Sequence, residues 1–138
     1  MKNLLPWAVL VSTFIAGPYI SGYVQAYWSL LLVPTLHAVG VHGKLSTLLV
    51  MTLFTIVGAL LAACLLSLPL GFVARSRAWL FGAAAGCVVA ATSMVWLYPF
   101  DLSLFPLVQL VAESLALVVG SAAFTAVVSR YRSRGRAA

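Results

Sequence analysis

Carboxylates are scarce in this chain: two among 138 residues, Asp101 and Glu113. Glu113 lies near the middle of 105–128, FPLVQLVAESLALVVGSAAFTAVV, a stretch with no other charge. As a helix that stretch would be roughly 36 Å long, enough to cross a ~30 Å hydrocarbon layer. An ionisable side chain at such a depth is costly to keep charged, so by default it marks a functional site. The chemistry open to it is proton or cation binding: the neutral acid is favoured in hydrocarbon, and a bound cation competes with the proton. The structural alternative is a protonated or hydrogen-bonded acid that holds helices together.

The neighbours of Glu113 suit either role. Gln109, Glu113, Ala116 and Gly120 follow at spacings of four, three and four, so they share one helical face. Gln109 can hydrogen-bond the carboxyl, and Ser93, from the preceding apolar stretch, is a second candidate partner. One carboxylate with no basic residue at its depth is an incomplete proton relay, which favours the structural role.

Other chemistry is poorly provided for. His37 and His42 are five apart, which does not place them on one helical face, and Gly40 lies between them. With Asp101 as the only further ligand in prospect, they read as polar residues of an outer loop. Neither a metal site nor a cofactor is expected. There is no HExxH, GxSxG or Gly-rich phosphate loop, and no pair of carboxylates within reach of each other. An enzyme would need His37, Asp101 and Glu113 to converge on one cleft, so a non-enzymatic protein is expected. Cys64 and Cys87 fall in apolar runs without a CxxC pattern and read as inert, buried thiols.

The elements that must position these residues are membrane-spanning helices. With 64% hydrophobic and 7% charged residues and a mean hydropathy of +1.13, the chain cannot cover a water-soluble globule with polar surface. The sequence predicts an all-α four-helix bundle in one domain, with spans over about 4–20, 45–68, 79–97 and 105–128 and a basic tail over 129–138. The run after Lys2 also resembles the start of a secretory signal, but no clear cleavage site follows, so a retained first span is expected. Gly17-Pro18 should kink or end it. Residues 21–43 are then a short interfacial or re-entrant element, with Tyr23, Tyr27 and Trp28 at the membrane boundary; a long kinked first helix reaching about Val33 is the other possibility. Pro69 and Gly71 should close the second span.

The formal charge of +6 does not point to nucleic acid, because the basic residues flank the apolar stretches instead of forming a stripe among aromatics. With both termini cytoplasmic, Lys2, Arg75, Arg77, Arg130, Arg132, Arg134 and Arg136 lie inside and only Lys44 outside, as the positive-inside rule prefers. A bacterial inner membrane fits a short chain of this kind.

Small residues on the other spans prepare close contacts. Gly82, Gly86 and Ala90 are spaced by four, the first two forming a GxxxG, and Gly58 and Ala62 repeat the spacing on the second span. The length and four-span plan resemble small multidrug exporters; those carry a glutamate in the first span, and here it has none. The expected function is therefore a membrane-embedded binding or assembly subunit acting through helix packing and an outer loop, in a homo-oligomer or a larger membrane complex. The alternative is a small homo-oligomeric transporter or channel with Glu113 as its proton or cation site.

Overall fold

Pro18 does not end the first helix. In the computed structural model, which describes residues 4–32, 34, 38, 40, 43–74, 77–97 and 104–134, α1 runs without a break over Leu4–Ser29. The first span does not end near Ile20; of the two possibilities the long first helix is the one that forms, as far as Ser29. The proline removes one N–H donor, so the Phe14 carbonyl loses its helical partner. Ending the helix there would strip several more backbone groups of partners, which is worse where no water can replace them. Gly17 serves packing: a methyl group on it would lie 2.8 Å from a Val89 methyl.

The remaining helices are α2, Lys44–Val73, α3, Ala78–Leu97, and α4, Leu104–Arg134. All four are long and apolar enough to cross a membrane, and the protein is an all-α, integral membrane four-helix bundle. α3 falls within a residue of the expected span. α2 continues through Pro69 by one further turn, for the reason that applies at Pro18, and α4 extends six residues into the expected tail. The end of α2 is secured twice: Ala74 N–H donates to Leu70 O at 2.8 Å, and Ser129 Oγ of α4 donates to Ala74 O at 3.0 Å. Of the interfacial or re-entrant element expected over 21–43, residues 21–29 are helix α1 instead, and His37 and His42 lie outside the described residues. So does Asp101.

The helices form a rhombus. α4 packs broadly on α2 and α3, α1 packs on α2 and more lightly on α3, and α2 and α3 touch across the short diagonal. α1 and α4 occupy the far corners, with no backbone approach between them. The core is built of small residues: Ala59, Ala62, Leu66, Val89, Ala90 and Leu117 form one buried cluster, with Ala116 packed against it. Close approach through small residues, rather than exclusion of water, is what drives helix association in lipid.

The glycines mark the closest approaches. A Cβ on Gly82 would overlap the Ser121 carbonyl, and one on Gly86 would lie 2.7 Å from both Leu117 O and Val118 Cα. The GxxxG of α3 is therefore seated on the backbone of α4. Gly120 faces Leu60 and Ala63 of α2, and Gly58 lies under the Trp28 ring. Outward faces are apolar, with Leu45, Leu49, Leu53, Leu61 and Leu65 making one exposed stripe along α2.

Candidate functional site

Glu113 is buried, with 6% of its surface exposed, and it points across the long diagonal of the rhombus. There the Gln25 side chain of α1 meets it: Nε2 donates to Glu113 Oε1 at 2.7 Å. The two backbones are too far apart to touch, so only long side chains close this gap. The same Gln25 nitrogen lies 3.4 Å from Ser21 Oγ, one turn back on α1, where Ser21 is 2% exposed. On the third side Ser93 of α3 lies beside the Glu113 carboxyl. The Gln25–Glu113 hydrogen bond thus ties α1 to α4, with Ser93 of α3 close by.

Local sequence explains why Gln25 arrives there. Leu10, Thr13, Gly17 and Ser21 are the buried positions of α1, at spacings of three, four and four, and Gln25 and Trp28 continue the same face. Thr13 Oγ1 turns back on its own helix and donates to Val9 O at 2.8 Å. Trp28, at the last turn of α1, turns its ring onto α2. Its Nε1–H donates to Phe54 O at 2.8 Å, and its ring stacks on Phe54 with centroids 4.8 Å apart. Tyr23 and Tyr27 do face outward.

Beside Gln25 a cleft of about 70 Å³ opens between α1 and α2, lined by Gln25, Trp28 and Ser29 on one side and by Phe54, Thr55 and Gly58 on the other. Deeper in the bundle, Ser67 Oγ of α2 sits 2.6 Å from Ala63 O and 3.1 Å from Ser121 O, a second polar link between helices.

The predicted residues are distributed unevenly over this arrangement. Glu113 and Ser93 meet at the site. Gln109 is half-buried one turn away, and the amide that donates to Glu113 is that of Gln25 instead. Gly58, Ala62, Gly82, Gly86, Ala90, Ala116 and Gly120 all lie at helix contacts within the bundle. Gln25, Ser21 and Trp28 were not anticipated as site residues, and the signal was the three-and-four spacing of α1 carried through Pro18; Thr55 of α2 had no such signal. The thiols are not buried as expected, since Cys64 is half-buried and Cys87 is exposed on the bundle surface. Comparison with protein-family models, with curated proteins and with solved structures returns no match.

Proposed function

We propose that the protein is a non-enzymatic binding or assembly subunit of a membrane complex, seated in a bacterial inner membrane with both termini cytoplasmic. The observation that carries this reading is the outward face of α1. Tyr19, Tyr23 and Tyr27 project from it at four-residue spacing, 70%, 68% and 70% exposed. Tyr27 is close to the end of the helix, but Tyr19 is ten residues from Ser29, roughly 15 Å along the axis, and with Ser29 at the boundary it sits well inside the layer. Side chains on a helix lean toward its N-terminus, so the Tyr19 phenol leans deeper into the layer and away from the nearer boundary. A hydroxyl there has no acceptor in lipid, whereas a neighbouring protein helix supplies one.

The rest of the molecule supports the same reading. The GxxxG of α3 and the small face of α4 are used inside the bundle, which leaves α1 as the polar-bearing surface for a partner. The outer loop with His37, His42 and Asp101 belongs to the proposed contact region. The alternative, a homo-oligomeric transporter with Glu113 and Gln109 of each protomer lining a shared cavity, has less in its favour because Glu113 is enclosed by its own helices.

The test is purification from the native membrane in mild detergent, comparing wild type with a triple Tyr19→Phe, Tyr23→Phe, Tyr27→Phe variant. A stoichiometric partner that the triple variant loses while its helicity and melting temperature stay unchanged is the expected result. A wild-type monomer, or a partner retained undiminished by the variant, would overturn the reading.

A further inference from the structure

The hydrogens that the cleft's polar side chains could donate are already engaged. Gln25 turns its amide nitrogen to Glu113 at 2.7 Å and Ser21 at 3.4 Å. The Trp28 indole donates to Phe54 O, the Ser29 hydroxyl to Ala26 O at 2.8 Å, and the Thr55 hydroxyl to Met51 O at 2.9 Å. What these side chains have left is acceptors: the Gln25 amide oxygen and the lone pairs of the Ser29 and Thr55 hydroxyls. Trp28 and Phe54, stacked on each other, supply the apolar part of the lining. Behind Gln25 stands the Glu113 carboxyl. A lining with spare acceptors and no spare donor disfavours anions and suits a group that donates hydrogen bonds. At about 70 Å³ the cleft is small and suits a compact group.

We propose that this cleft binds a compact primary ammonium group, its N–H bonds directed to the oxygens of Gln25, Ser29 and Thr55 and its carbon stem against Trp28 and Phe54. The proposal goes beyond the assembly role and does not depend on it. Two sources carry this chemistry: a small free amine, or the ethanolamine headgroup of a lipid entering between α1 and α2.

The experiment uses the full chain in phosphatidylcholine nanodiscs, with Trp28 kept as the sole tryptophan through W7F, W79F and W96F. Methylammonium is expected to change Trp28 emission saturably, with affinity about 10-fold lower in Thr55→Val and in Ser29→Ala, since each loses one charge-assisted hydrogen bond. Tetramethylammonium, which has no N–H, should bind at least ~10-fold more weakly. Adding phosphatidylethanolamine to the disc then separates the sources. Loss of the methylammonium response assigns the cleft to the lipid headgroup; an unchanged response assigns it to a free amine, and either supports the site. The proposal fails if methylammonium gives no saturable change in phosphatidylcholine, if both oxygen-deleting variants bind as wild type does, or if tetramethylammonium binds equally well.

Discussion

Gln25 and Glu113 meet where α1 and α4 cannot reach each other by backbone, so their hydrogen bond is the direct tie across the long diagonal. Interhelical hydrogen bonds in membrane proteins contribute on average ~0.6 and at most ~1.7 kcal/mol, since the unfolded chain in lipid also finds partners. Gln25→Leu removes the donor and leaves a buried acid without this partner, which should lower stability by about 1–2 kcal/mol. Glu113→Gln keeps an accepting oxygen and should lose less than ~1 kcal/mol. Denaturant titration followed by circular dichroism ranks the two. Equal or greater damage from Glu113→Gln would mean that the carboxyl does more than accept this bond. At this scale half of the site was legible: an isolated carboxylate in an apolar run identifies itself, but its partner lies 88 positions away in sequence.

At the scale of the helix, the same residue type does opposite things. Gly86 has α4 backbone atoms at 2.7 Å from where a Cβ would stand, whereas Gly22, on the outer side of α1, has nothing within 4 Å. Gly86→Ala should therefore force α3 and α4 apart and destabilise by roughly 1–3 kcal/mol. Gly22→Ala adds helix propensity without a clash and should be neutral or stabilising by up to ~1 kcal/mol. The comparison is read in one unfolding series, and a Gly86→Ala protein as stable as wild type would show that α3 does not rest on the α4 backbone. A GxxxG in sequence implies close packing but names no partner helix. The prolines were ambiguous in a related way: Pro18 read as a kink or an end and Pro69 as an end, and both stand inside helices because a broken helix in lipid orphans more backbone groups than a proline does.

For the whole molecule, the exposed residues are the evidence that the bundle lives in lipid. Cys87 lies near the middle of α3 and is exposed on the surface, in company with outward Leu and Val side chains. A charged, water-soluble maleimide does not enter the acyl layer. It should leave Cys87 unlabelled in intact bilayers and label it after denaturation in SDS. Rapid labelling in the bilayer would mean that this face of α3 lines water, and mass spectrometry of the intact protein reads either result.

Composition and apolar run length were enough to determine that the protein is a helical membrane bundle of four spans, because lipid permits almost nothing else to a chain with 7% charged residues. They also singled out Glu113, since a carboxylate is conspicuous against hydrocarbon. The tertiary structure alone decided that α1 and α4 stand on a diagonal, that Gln25 instead of Gln109 donates to the acid, and that Trp28 turns its ring onto α2 to shape a cleft with Phe54. The physical reason is that hydropathy reports the solvent around each helix, and in lipid every outward face looks alike. Which helix faces which is settled by small differences in side-chain size and by single hydrogen bonds between distant positions, and neither leaves a period in the sequence.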